Sequence, residues 1–319
     1  MMNLLRIHEM GKKTKIGLAL GSGGARGLAH IGVLKALEEH RIPIDLIVGT
    51  SMGAIIGGIY AQEPDAKRLA ELVKKYVCKN DFQEGWIGFF KDEFNRKKEN
   101  LLGELSHFVR KKYLTYLTSR KLSLEKKEKL LNPLKELLRD EPIEKSKIEF
   151  ATVAIDLITG REVIFQEGPI IDAVYASAAI QGVFPPLIID NRVLVDGGPT
   201  SAIPIETARK LGADFVIAIN VPQMPRKENE FKNGLEVILR SDWAAQAKLS
   251  KLNLSFADVV ITPAVRSIHW ANFTKVDDCI ERGYTAAIAN VDEIKDKLAR
   301  RKSPWINFRK TLARSIAGT

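Results

Sequence analysis

Cysteine is nearly absent: Cys78 and Cys279 are the only two in 319 residues. They are too few for a disulfide scaffold and too far apart for a close metal-ligand pair, so a reducing, cytoplasmic setting is the expectation. Long apolar runs are missing as well. Nothing reaches the about eighteen consecutive apolar residues that a membrane-spanning helix needs. The opening MMNLLRIHEMGKKTK turns polar after Leu5, too early for the apolar region of a secretory leader. No repeat of solenoid length occurs. Acidic residues are outnumbered, leaving a formal charge of +10 that suits peripheral contact with an anionic membrane. The same charge would draw nucleic acid, but no recognition motif accompanies it, so no specific nucleic acid is expected.

What is present is enough apolar material, 45% of residues, for a large core. One enlarged domain over residues 15–299 is expected, preceded by an extension at 1–14 and followed by a basic tail at 300–319. Between about 81 and 145 the pattern changes to aromatic residues beside lysines and arginines (Trp86, Phe89, Phe90, Phe94) and amphipathic leucine spacing. That stretch reads as an inserted helical lid or cap, able to meet an amphiphile or a membrane interface.

The chain is organised around Pro43 to Ala61, PIDLIVGTSMGAIIGGIYA. Ile44 to Val48 reads as a buried strand and Ala54 to Tyr60 as an apolar helix, which puts Gly49-Thr50-Ser51-Met52-Gly53 on the tight turn between them. Ser51 is therefore a candidate nucleophile, with Gly49 and Gly53 permitting close backbone approach and unusual dihedral angles. Upstream, the strand Lys15 to Leu20 runs into Gly21-Ser22-Gly23-Gly24-Ala25-Arg26-Gly27 and then a helix. Main-chain N–H groups on such a turn would stabilise developing negative charge. A dinucleotide fingerprint fails at Arg26, where its third glycine should stand, and a Walker loop fails at Leu28. The loop is read as an oxyanion site.

Further on, strands are expected at Ile148–Ile155, Leu187–Ile189, Arg192–Val195, Asp214–Asn220 and Val259–Thr262. Helices are expected at Ile170–Ala179, Ile205–Leu211, Leu235–Asn253 and Val276–Leu298. Asp196-Gly197-Gly198-Pro199 then falls on a tight loop directly after a strand. A serine nucleophile needs a base, yet none of His8, His30, His40, His107 and His269 has as clear a setting as Asp196. With a reference pKa of about 3.9, an aspartate is useful as a base only if hydrogen-bonded to the hydroxyl and shielded from water.

Three ordered motifs, Gly23-Gly24-Ala25-Arg26-Gly27, Gly49-Thr50-Ser51-Met52-Gly53 and Asp196-Gly197-Gly198, make the chain resemble the patatin-like phospholipase family, including its bacterial members, over most of Lys15 to Asn220. The resemblance implies a three-layer α/β/α core and a Ser51–Asp196 catalytic dyad. It also implies an oxyanion hole from backbone groups around Gly23, Gly24, Ala25, Arg26 and Gly27, and hydrolysis of fatty-acyl esters in phospholipids or lysophospholipids with no metal or cofactor. Arg26 would order the loop or attract an anionic head group. One departure is visible: Ile180-Gln181-Gly182-Val183-Phe184-Pro185-Pro186 stands where the family often has Pro-Gly before its FPP-like segment, which leaves the local loop shape open. The competing reading from the same turns is a noncatalytic lipid- or phosphate-binding protein.

Overall fold

The computed structural model describes residues 13–79, 122–221, 231 and 234–302. Most of the expected lid and nearly all of the basic tail lie outside the described residues. In chain order the elements are β1 (Ile16–Leu20), α1 (Ala29–Glu39), β2 (Leu46–Gly49), α2 (Met52–Gln62), α3 (Ala66–Val77), α4 (Glu128–Leu137), β3 (Glu149–Asp156), β4 (Arg161–Phe165) and α5 (Ile170–Ala178). They continue as β5 (Leu187–Ile189), β6 (Arg192–Asp196), α6 (Gly198–Ser201), α7 (Ile205–Lys210), β7 (Phe215–Ile219), α8 (Gly234–Asn253), β8 (Val259–Ile261) and α9 (Val276–Lys302). The last helix thus runs three residues past the expected domain end at 299.

The strands form one mixed sheet in the order β5-β6-β3-β2-β1-β7-β8, with β4 on β3. Strands β3, β2, β1, β7 and β8 are parallel, as buried apolar runs such as LIVG and FVIAI predict. The β3–β4 and β5–β6 hairpins and the long-range β3–β6 pairing supply the antiparallel part. The β5–β6 turn, Asp190-Asn191, has both residues at positive φ (48° and 60°), the mirror-type turn whose twist matches the strands. Side chains alternate between two apolar layers. Leu18 and Leu20 point into the larger one, with α1, α2, α5 and α9, whereas Ala19 and Val48 point into the smaller one, with Ile205 and Ala208 of α7. The layers are helix, sheet, helix.

Register explains how distant residues meet. Thr152 of β3 pairs with Gly49 of β2 on one side and Phe165 of β4 on the other, while Ala154 pairs with Val163 of β4 and Asp196 of β6. Since β4 occupies one edge of β3, β2 and β6 must share the other. Strand β2 runs parallel to β3 and β6 runs antiparallel, so their C-terminal ends point at each other across Val153. Ser51 follows one end and Asp196 closes the other.

Candidate active site

Ser51 adopts φ 57° and ψ −120°, a left-handed conformation that a residue with a side chain enters at a cost of roughly 1–3 kcal/mol. Its surroundings hold it there. The Thr50 amide donates to Leu20 O, the Thr50 hydroxyl to Ser201 O (2.8 Å), and the Ser51 amide to both Ser177 O (3.0 Å) and Ser177 Oγ (3.2 Å). Gly53 lies so close to β1 that an added Cβ would stand 2.1 Å from Leu20 O. The flanking glycines are therefore needed for close approach, and the unusual dihedral angle falls on the serine itself.

Helix α5 helps position both candidate residues. Near its C-terminus, Ser177 receives the Ser51 amide while its own hydroxyl donates to Val153 O (2.7 Å), and Ala179 O receives the Asp196 amide (3.0 Å). Gln181 donates its side-chain Nε2 to Asp196 O (2.7 Å). In the sequence, Ser177 is one small residue in a small-residue helix and Gln181 lies within the departure from the family pattern. Only the folded chain shows both fixing the active turn.

Asp196 is buried; its Oδ1 accepts a hydrogen bond from the Gly198 amide (2.7 Å), and the nearby Ser51 hydroxyl acts on the carboxyl as a second donor. Burial raises its pKa from 3.8 to about 6, against the lowering effect of those two bonds. The carboxylate is shielded yet ionised near neutrality, which a general base requires. Among the described residues, His30 is the one buried histidine, and it faces the loop rather than the serine. Its Nε2 lies 2.7 Å from Gly21 O, a carbonyl that can only accept, so that nitrogen carries the proton. Burial lowers the His30 pKa to about 4 and leaves the ring neutral.

The glycine loop forms a 3₁₀ turn over Gly24–Leu28, packed beside the Ser51 turn: a Cβ at Gly27 would come within 2.6 Å of Met52 Cγ. Not all five expected donors remain free. The Ala25 amide donates to Trp270 O (2.6 Å) and the Arg26 amide to Gly23 O (3.2 Å). The Gly23 and Gly24 amides have no such partner among the described residues, nor does the amide of Met52 at the start of α2. Arg26 turns its guanidinium to Ile268 O (Nε to O 2.6 Å), tying the loop to the segment before α9. Ordering the loop, the first of its two expected roles, accounts for that bond.

The patatin-like phospholipase profile matches residues 18–209, more than half of the chain. The chain belongs to the patatin-like phospholipase family. Among its relatives, an uncharacterised NTE family protein of Mycobacterium tuberculosis is 35% identical over 215 residues, covering 65% of this chain and 49% of that protein. The lysophospholipase nte1 of Emericella nidulans is 31% identical over 206 residues, covering 65% of this chain and 12% of that protein. The chain thus spans about half the length, or much less, of these curated relatives. Among solved structures, VipD from Legionella pneumophila aligns over 88% of this chain and 67% of its own, at 15% identity and a TM-score of 0.41. The match with the patatin-like family runs from Leu18 within β1 to Arg209 within α7, and so includes all three motifs of the site.

Proposed function

We propose that the protein is a serine esterase or phospholipase that cleaves fatty-acyl esters of phospholipids, lysophospholipids or related amphiphiles through Ser51 and Asp196. The observation that carries this reading is the buried carboxyl of Asp196 set beside the hydroxyl of a serine held at a strained strand-to-helix turn. Family membership and the lysophospholipase name of the fungal relative support the substrate class.

In the proposed cycle Asp196 accepts the Ser51 proton as Oγ bonds to the ester carbonyl carbon. The carbonyl oxygen becomes an oxyanion facing the unengaged Gly23 and Gly24 amides, where preorganised donors stabilise it without reorganising. Collapse breaks the ester C–O bond, and the leaving alcohol takes the proton from Asp196. Water then gives a proton to Asp196 and its oxygen to the acyl carbon. The second tetrahedral species collapses to free fatty acid, and the proton returns to Ser51. Fluorophosphonate labelling followed by peptide mapping tests the assignment: modification should fall on the peptide containing Ser51. Labelling confined to another peptide would reject it, and a protein that binds liposomes without any labelling would be the noncatalytic lipid binder.

Contact with an anionic membrane also belongs to this reading, and a surface on α8 supports it. Strand β7 is parallel to β1 and β2, so its C-terminal end lies on the sheet edge that carries the Ser51 turn, and α8 follows it and packs on α6, just past Asp196. Val237 and Ile238, adjacent on this helix, are about half exposed or more (48% and 65%), and Trp243, roughly 120° or more around the axis from them, is also half exposed (48%). Apolar side chains so placed on a chain of charge +10 suit the boundary between head groups and acyl chains. No helix among the described residues is long and apolar enough to cross a membrane, so the contact is drawn as peripheral. Replacing Val237 and Ile238 together with aspartate should reduce cosedimentation with anionic vesicles about tenfold or more at unchanged turnover of a monomeric short-chain ester. Undiminished sedimentation would remove α8 from the membrane contact.

A further inference from the structure

Beside the site lies a cavity that the reaction scheme does not use. It opens between α2, α3 and α4, and its about 60 Å³ is several times the roughly 10–15 Å³ that one water needs. Its walls include Leu28, Met52, Ile55, Val73, Leu134 and Leu137. No charged residue lines it, and Tyr76 is the only lining residue with a polar side-chain atom. Water would gain few hydrogen bonds there, whereas an alkyl chain would fill it favourably.

Its position points to what that chain is attached to. Met52 is the residue after Ser51 and Leu28 the residue after the glycine loop, so the cavity begins one residue from each half of the proposed site, although Ser51, Gly23, Gly24 and Asp196 do not themselves line it. From Met52 it follows one face of α2 through Ile55 and Ile56, about a turn and a half of helix from Ser51. Val73, Tyr76 and Val77 of α3 and Leu130, Leu134 and Leu137 of α4 close it from the far side. Met52, Ile55, Tyr76 and Leu137 are half-buried and stand at its open parts, while Val73 and Leu134 are fully covered.

We infer that this cavity receives the fatty-acyl chain of the ester held at Ser51, and that its α3 and α4 walls set the acyl length the protein prefers. The inference rests on the proposed hydrolase reading and adds an orientation to it. The acyl tail lies along α2 under α4. The alcohol or head group leaves by another side, since nothing in this lining would solvate a phosphate or a sugar. Helix α4 comes from the stretch expected to be a lid, so selectivity would reside in an element outside the three motifs.

The test combines turnover with binding. Wild-type kcat/KM on p-nitrophenyl esters should climb from butanoate toward dodecanoate, by up to roughly fourfold per methylene while the chain is still entering the cavity. Leu137→Trp, at a half-buried position, should fill the cavity and lower the dodecanoate-to-butanoate ratio at least about tenfold while butanoate turnover stays near wild type; Ile55→Trp serves if Leu137→Trp does not fold. In parallel, folded Ser51→Ala protein should bind the fluorescent fatty acid cis-parinaric acid, and adding Leu137→Trp should weaken that binding. An unchanged chain-length ratio in the folded filling variants would overturn the inference. So would absence of parinaric acid binding to folded Ser51→Ala protein, which would mean that another part of the chain occupies the cavity. Failure of the hydrolase reading looks different: no ester of any length is turned over and no serine is labelled, whatever the fatty acid binding.

Discussion

Ser51→Ala should abolish release of fatty acid from micellar lysophospholipids and short-chain esters, a loss on the order of 10⁴-fold or more in kcat, while the circular-dichroism spectrum stays native. The reason is local. Oγ is the only atom removed, the Ser51 amide still bonds to Ser177, and the turn remains anchored through Thr50 and the close approach of Gly53 to β1. Alanine at φ 57° bears the same backbone strain as serine, so the substitution isolates the nucleophile. Full activity in the folded variant would remove Ser51 from the mechanism. A variant that lost both activity and native spectrum would call for Ser51→Cys, which keeps a hydrogen-bonding nucleophile at the same position and should still be labelled.

Asp196→Asn should lower kcat/KM by roughly 10²–10⁴-fold, the usual contribution of a positioned proton acceptor. The amide oxygen can still accept from Gly198, so the loop should keep its shape. Wild-type activity should depend on pH with the sign set by the raised pKa: Asp196 accepts a proton only when ionised, so kcat/KM falls about tenfold per unit below about 6 and levels off above it. The asparagine variant should lack that limb. Stability should move the other way. A carboxyl whose folded pKa is raised from 3.8 to about 6 binds its proton more tightly in the folded state, so its stabilising contribution is whole below about pH 4 and is lost as pH rises through about 6. A rise of that size is equivalent to roughly 3 kcal/mol. The melting temperature of Asp196→Asn relative to wild type should therefore rise between pH 4 and pH 7. A difference that is flat with pH would mean that burial does not hold the carboxyl in this state, and a wild-type rate profile with no step near 6 would argue against Asp196 as the base.

Much of this site is legible in the sequence because its parts are local. A strand ending at Gly49, a serine two residues on and an apolar helix after it define the Ser51 turn without reference to anything distant. Asp196 likewise announces itself by closing a strand before two glycines. The hairpin turn at Asp190-Asn191 is readable for the same reason. The pairing of the two loops comes only from the family resemblance, because β2 and β6 meet only through β3 and no spacing in the chain encodes a shared neighbour. Donor accounting is hidden too: Ala25 and Arg26 look equivalent to Gly23 and Gly24 until Trp270 arrives from far along the chain to occupy the Ala25 amide. The exposure of Val237 and Ile238 on α8 escapes notice because an apolar residue in a helical pattern does not say whether protein or solvent covers it. The aromatic stretch near Trp86 gives the stronger signal of a membrane contact, and it lies outside the described residues.

Since β2 and β6 form no bonds with one another, the serine and the carboxylate inherit their alignment from neighbours they share: β3, a common ruler against which two remote segments are measured, and the end of α5 that bonds to both. A slip of a single residue along that ruler by either segment would turn its side chains to the opposite face. The proposed reaction centre therefore exists only in a chain whose long-range pairings are both complete, and a molecule collapsed everywhere else but mispaired at one of them would be compact and inert.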